Sequence, residues 1–231
     1  MTTIASNLQA VRTAMTEAAA DSGRHANEIS LLAVSKKFTQ NDIRDAYLAG
    51  QTRFAESYAR EALGKIAALR DLPIEWHFIG PIQSNKTRAI AENFTWVHSV
   101  DRLKIAERLS EQRPAHLPPM QVCLQVNISG EESKSGVCPS DIDMLAHAVD
   151  KLHGLKLRGL MAVPAPCEDM ATQRLSFAKL RELRDKLDQQ GFQLDTLSMG
   201  MSHDFAAAIA EGATMVRIGS AIFGHRIYQT A

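Results

Sequence analysis

Short apolar runs recur eight times along the chain, each followed by small or polar residues and then by a stretch of helical period, and this alternation limits the fold more than any other feature. The runs fall at 29–35, 52–55, 75–79, 95–98, 121–127, 155–160, 196–199 and 214–218. Between them, apolar residues three and four apart mark helices, as in Ile43/Ala46/Tyr47, Ala62/Ile66/Leu69, Leu103/Ala106/Leu109 and Ile142/Leu145/Ala146/Val149. A strand that is always followed by a crossover helix returns to the same edge of its sheet, so the strands pair in parallel. Eight such units averaging about 29 residues favour closure into a (β/α)8 TIM barrel of the α/β class. The alternative is a doubly wound open sheet, whose usual glycine fingerprint after the first strand is missing.

One segment precedes the first strand. Ile4, Leu8, Val11, Met15, Ala18 and Ala19 recur on one helical face and stop before Gly23, which predicts an extra N-terminal helix. The 231 residues exceed the usual domain size, yet no Pro/Gly/Ser-rich break divides them, so a single domain over 1–231 is expected. Lys and Arg number 26 against 26 Asp and Glu, with no basic block, which removes the electrostatic footprint of a nucleic-acid binder. Cys123, Cys138 and Cys167 are odd in number and far apart, so neither a disulfide framework nor a zinc site is expected, and a reducing cytoplasm fits. The first residues carry no basic stretch followed by an apolar core, and the apolar run at 159–163 stops at Pro164, so no membrane segment is expected.

Chemistry in such a barrel collects where the strands end. Those positions are unusually polar: Lys36, Glu56 and Ser57, Gly80, His98 and Ser99, Asn127, Met161, Ser202, and finally Arg217, Gly219 and Ser220. Lys36 closes the run Leu31-Leu32-Ala33-Val34-Ser35-Lys36 and points toward an apolar-walled mouth, where desolvation favours a free amine able to attack a carbonyl. Lys37 is adjacent; alternation puts the two lysines on opposite faces without labelling the faces. Gly200-Met201-Ser202 and Arg217-Ile218-Gly219-Ser220 close the last two units, where barrels often bind phosphate with glycine-permitted backbone approach and hydroxyl donors. Ordinary turn and N-cap chemistry uses the same residue types.

Arg217 stands in the otherwise apolar Met215-Val216-Arg217-Ile218 and needs a partner, because a guanidinium does not give up its charge. Either it faces the ring nitrogen of a pyridoxal phosphate cofactor, or it forms a buried ion pair with a barrel carboxylate such as Glu56. His77, between Trp76 and Phe78, has the setting of a stacking or core residue, and no His/Asp/Glu set has metal-ligand spacing, so no metal is expected. The segment 131–136 reads as a mobile, solvated polar loop, with gating as the alternative role, and Gln83-Ser84-Asn85-Lys86 as an anion-binding helix start or a plain N-cap.

The stretches LLAVSK at 31–36, EWHFIGPIQSNK at 75–86, SKSG at 133–136, RGLMAVPAP at 158–166, LSMGMSHDFAAAI at 197–209 and TMVRIGSAIFG at 214–224 together resemble the pyridoxal phosphate homeostasis proteins, relatives of the N-terminal barrel of alanine racemase. The resemblance covers nearly the whole chain. It implies a fold-type III barrel that holds pyridoxal 5′-phosphate, the vitamin B6 cofactor, as a Schiff base on Lys36. It also implies phosphate contacts from Ser202, Gly219 and Ser220 and a ring-nitrogen contact from Arg217. The candidate cofactor-binding set is Lys36, Ser57, His77, Met199, Ser202, Arg217, Gly219 and Ser220. Proteins of this kind are thought to store, buffer and deliver the cofactor to apo-enzymes without established turnover, and a cytoplasmic monomer is expected.

Two positions depart from the family pattern. Ala55-Glu56-Ser57-Tyr58 stands where Gly-Glu-Asn-Tyr is usual, so the cofactor contact of the asparagine is shorter or absent; His203 stands where an acidic residue usually follows Met-Ser. A rival reading is a racemase, which needs a second acid/base, supplied in alanine racemase by a tyrosine from an additional β domain of a partner subunit. With seven residues after Gly224 and only Tyr47, Tyr58 and Tyr228 in the chain, that requirement is not expected to be met. A cofactor-free Schiff-base aldolase would use a strand-end lysine too, but would not need an arginine at the ring-nitrogen position.

Overall fold

A computed structural model of the chain describes residues 2–131 and 135–224. Thr3 opens the first helix, α1 (Ile4–Asp21): the Ser6 N–H donates to its hydroxyl and its own N–H donates to the Ser6 hydroxyl, a reciprocal cap. The apolar runs form strands β1 (Ser30–Val34), β2 (Arg53–Glu56), β3 (Glu75–Phe78), β4 (Trp96–Val100), β5 (Met120–Gln125), β6 (Leu155–Met161), β7 (Thr196–Ser198) and β8 (Met215–Ile218). Between them run α2 (Gln40–Leu48), α3 (Ala59–Ala68), α4 (Thr87–Asn93), α5 (Leu103–Glu111), α6 (Ile142–Asp150), α7 (Met170–Gln189) and α8 (Phe205–Ala210), and α9 (Ser220–Phe223) follows the last strand. Neighbours in sequence pair in parallel, and β1 pairs with β8, Leu32 opposite Arg217, to close the barrel. The open-sheet alternative is thereby excluded.

Alternation along the strands divides the apolar residues between two places. Leu31, Ala33, Phe54, Phe78, Val97 and Leu160 face outward and join helix residues such as Ile43, Ile90 and Leu109 in the main core, a shell between barrel and helices. Inside the barrel the apolar residues form two separate small groups: Leu32, Val34, Ala55 and Met215 with Ile79, and Trp96, Cys123 and Met161. Buried polar side chains, among them His77, His98, Ser198 and Arg217, fill the rest. The helix α1 buries Leu8, Val11, Met15 and Ala19 and packs on α2, α8 and α9; the Asn7 amide donates to the Ile222 carbonyl.

Among the described residues the three cysteines are unpaired, no group of three His, Cys, Asp or Glu side chains is arranged to hold a metal ion, and no helix is long and apolar enough to cross a membrane. Of the polar loop at 131–136, residues 132–134 lie outside the described residues, as does Tyr228. Residues Ser84–Lys86 form one 3-10 turn ahead of α4, and Gln83 supplies no side-chain cap to it.

Candidate functional site

Lys36 continues the inward parity of Leu32 and Val34, and it lines a cavity of about 280 Å³ at the carboxyl ends of the strands. Lys37 is exposed, with φ +67°, and is not on that wall. The turn carrying both lysines is clamped by a buried cluster from β2 and α3. The Ser35 hydroxyl donates to Glu56 Oε1 at 2.7 Å, and Lys65 Nζ donates to the Ser35 carbonyl at 2.8 Å and to Glu56 Oε1 at 2.8 Å. Glu61 accepts from Lys65 at 2.6 Å and from the Lys37 N–H at 2.6 Å. Burial pushes the Glu56 carboxyl up despite the opposing pull of Lys65 and Ser35.

The rest of the wall comes from Ser57, Ile79, Met161, Val163, Met201, Ser202, His203, Arg217, Gly219 and Ser220. Ser57 is seated by Gly80: a Cβ at residue 80 would stand 2.0 Å from the Ser57 carbonyl oxygen. Gly80→Ala is therefore expected to displace Ser57 and to lower stability by about 1–3 kcal/mol, measurable by denaturant unfolding. The Ser202 and Ser220 hydroxyls approach to 3.3 Å beside Gly219, forming a pair of neutral donors at one end of the cavity. Gly200, at φ +92°, makes the turn into this segment, and its carbonyl accepts from the Arg217 N–H at 2.9 Å. His203 is exposed on the wall, and the acidic neighbour Asp204 accepts from the Met201 N–H.

Arg217 is 3% exposed and is held by neutral acceptors: Nη1 donates to the Ser198 hydroxyl at 2.8 Å and to its carbonyl, and Nη2 donates to the Ala162 carbonyl at 2.8 Å. The ion pair with Glu56 considered from the sequence does not form, because Glu56 has the opposite parity to the inward Ala55 and faces Lys65 of α3 outside the barrel. Burial lowers the guanidinium to about 10, opposed by Asp204 and Cys123, and it stays charged at neutral pH.

Six of the eight candidate residues thus share one wall, while His77 and Met199 are not on it. His77 lies one inward position below the wall residue Ile79. It is fully buried, stacks on Trp96 with ring centroids 5.5 Å apart, and bonds to His98 and Glu75. Met199 has the opposite parity to the inward Ser198 and packs in the outer shell. Tyr47 also packs against that shell, and Tyr58 does not line the cavity. Sequence reasoning overlooked Ser198 and Lys65; Ser198 was signalled only by its inward parity, and Lys65 only by its i,i+4 spacing from Glu61.

Burial holds His77 and His98 below the usual 6.5, and the His77 and Arg53 contacts hold Glu75 below 4.5. Below pH 6.5 the unfolded chain takes up histidine protons that the folded chain refuses, so stability falls as pH drops; Glu75 adds a further loss below 4.5. Thermal unfolding followed from about pH 7 to about pH 5 is expected to show a falling midpoint, shallower in His98→Gln.

The family model "Alanine racemase, N-terminal domain" matches residues 3–227. The chain is 60% identical over 228 residues to the pyridoxal phosphate homeostasis protein of Pseudomonas aeruginosa, covering 99% of this chain and 98% of that one. It is 50% identical to the protein of that name from Escherichia coli K12, with 99% of each chain covered. Among solved structures, PipY of Synechococcus elongatus with pyridoxal phosphate bound superimposes with a TM-score of 0.84 at 37% identity, covering 96% of this chain and all of PipY. Alanine racemase from Corynebacterium glutamicum shares the fold at 19% identity, TM-score 0.68, over 93% of this chain and 60% of the racemase. With the barrel closed and these likenesses running nearly end to end, the chain belongs to the pyridoxal phosphate homeostasis protein family, whose barrel is that of the alanine racemase N-terminal domain.

Proposed function

We propose that this protein binds pyridoxal 5′-phosphate reversibly through Lys36 and acts in cofactor homeostasis, storing the cofactor and passing it to apo-enzymes, without a catalytic cycle of its own. The observation that carries the reading is the single wall on which a half-buried lysine, a pair of serine hydroxyls beside a glycine, and a buried, permanently charged arginine meet. That set fits the group. Ser202, Ser220 and the Gly219 backbone suit a phosphate, and Arg217 suits a ring nitrogen that only accepts. When bound, the cofactor supplies an aldehyde that condenses with a primary amine. A charged arginine at the ring nitrogen keeps that nitrogen without a proton of its own and weakens the ring as an electron sink, which disfavours aminotransferase-type chemistry. The relatives named for homeostasis, and the pyridoxal phosphate present in PipY, support the same reading. A cytoplasmic setting and a monomeric state belong to this proposal.

The test is spectroscopic. The purified protein is expected to absorb in the visible, to lose the band on borohydride reduction, and to carry the resulting pyridoxyl label on Lys36. A colourless protein that takes up no added pyridoxal phosphate would sink the reading, and substantial racemisation of L-alanine or L-serine in a chiral assay would replace it with the racemase. The two departures predict smaller effects: Ser57→Asn tightens binding in cofactor titration, and His203→Asp alters the pH profile of binding. Unchanged titrations discard both.

A further inference from the structure

Glu75 stands at the N-terminal mouth of the barrel, on the wall of a second cavity of about 550 Å³, with its side chain 36% exposed. From it a line of hydrogen bonds crosses the barrel interior between the two small apolar groups. Glu75 Oε1 lies 2.9 Å from His77 Nε2, His77 Nδ1 lies 2.9 Å from His98 Nε2, and His98 Nδ1 lies 2.8 Å from Ser198 Oγ. Ser198 Oγ accepts from Arg217 at 2.8 Å, on the wall of the opposite cavity.

The carboxylate end fixes the direction of every bond. Glu75 only accepts, so His77 donates from Nε2; a neutral histidine that donates from Nε2 accepts at Nδ1, so His98 in turn donates from Nε2 to His77 and accepts at Nδ1 from the Ser198 hydroxyl. The Ser198 oxygen, its hydrogen spent on His98, still accepts from the Arg217 guanidinium, which only donates. A proton added to His77 would set two N–H groups face to face across 2.9 Å, and one added to His98 would strand the Ser198 hydroxyl. Charged neighbours act on both ends: Arg53 of β2 donates to Glu75 at 3.0 Å, Arg158 of β6 lies over the Trp96 ring that stacks on His77, and Asp204 acts on Arg217, while Cys123 beside it is a neutral thiol raised to about 12 by burial.

The geometry points to His77, His98 and Ser198 as positioning residues, a one-directional line that holds the Arg217 guanidinium in a single orientation and ties it to a carboxylate at the far mouth. Its consequence rests on the pyridoxal phosphate reading: the line sets how Arg217 meets the ring nitrogen, so a change at Glu75 reaches a cofactor it never touches. Coupled bonds of this kind polarise one another, which lets one end respond to the other.

Long-range proton–nitrogen NMR of histidine-labelled protein without cofactor reads the two rings directly. Both are expected to be neutral at neutral pH with the hydrogen on Nε2; either ring with its hydrogen on Nδ1 overturns the inference. Glu75→Leu removes the terminal acceptor. It is expected to redistribute both rings between tautomers and to weaken pyridoxal phosphate binding about three- to tenfold. Glu75→Gln retains an acceptor oxygen and restores both readouts. Ring states and affinity must move together, and either one moving alone, or neither moving, overturns the inference. A wild type that takes up no cofactor defeats the preceding proposal instead, and the ring states then decide the line by themselves.

Discussion

Replacing Lys65 by methionine is expected to lower stability by about 3–5 kcal/mol, because it leaves the Glu56 carboxylate buried without its cation. For a chain of this size that corresponds to a fall of about 6–20 °C in the thermal midpoint. The Glu56 side chain is fully buried, and the ammonium that faces it is 8% exposed, so solvent screens the pair little. Burial already raises the Glu56 carboxyl with Lys65 present. Without Lys65 the folded chain holds that proton to still higher pH while the unfolded chain releases it near 4.5, so the loss is smallest in acid and grows as pH rises. Adding Glu56→Gln to Lys65→Met removes the stranded charge and is expected to recover much of the stability. A loss below about 1 kcal/mol in Lys65→Met would show that water reaches the carboxylate and that the cluster does not clamp the turn as described.

Lys36→Ala is expected to abolish the borohydride-fixable label completely, with the fold intact by circular dichroism. Lys37 does not substitute, because the turn sends the two lysines to opposite sides. Lys36 follows the inward parity of Leu32 and Val34, whereas the Lys37 N–H is tied to Glu61 with the side chain exposed at φ +67°. Peptide mapping after reduction separates the outcomes. Label appearing on Lys37 in the variant would mean that the clamped turn yields, and label retained at wild-type level elsewhere would move the site away from this pocket. The experiments on Lys65 and Lys36 are linked: Lys65→Met loosens the turn as well as the fold, so residual folded variant should label more slowly at Lys36.

The barrel was legible because every strand presents an apolar outer face to the helices and several carry apolar residues inward as well, which leaves eight short apolar-rich runs in the sequence. Strand ends were less legible where side chains take over backbone partners. Ser35 was expected within the first strand, but its hydroxyl and carbonyl are engaged by Glu56 and Lys65. The fourth strand runs to Val100, past the expected 98, since Ser99 hides its hydroxyl on the Gly80 carbonyl. The fifth stops at Gln125, where the regular ladder gives way: Val126 still donates to the Met161 carbonyl but also bridges to Val137. At the site, the rule that chemistry gathers at the carboxyl ends of barrel strands led to Lys36, Ser57, Ser202, Arg217, Gly219 and Ser220. It could not assign His77 or Met199, because reaching the cavity depends on inward parity and on depth, and depth is set by the stagger of neighbouring strands. Lys65 was invisible for another reason: a lysine on an amphipathic helix reads as surface, and only the carboxylate at the end of β2 draws it inward.

The divided interior of the barrel has a consequence for how this protein can change. Its stability resides mainly in the shell between strands and helices, where Phe54, Phe78, Phe94 and Phe177 are fully buried, whereas the space within the strands is given over to paired polar groups and two small apolar patches. Mutations that harden the protein against heat can therefore accumulate in the shell while leaving ligand recognition untouched. Changes inside the strands trade hydrogen-bond partners rather than packing volume, so new specificities in this barrel should arise by exchanging matched donors and acceptors in pairs.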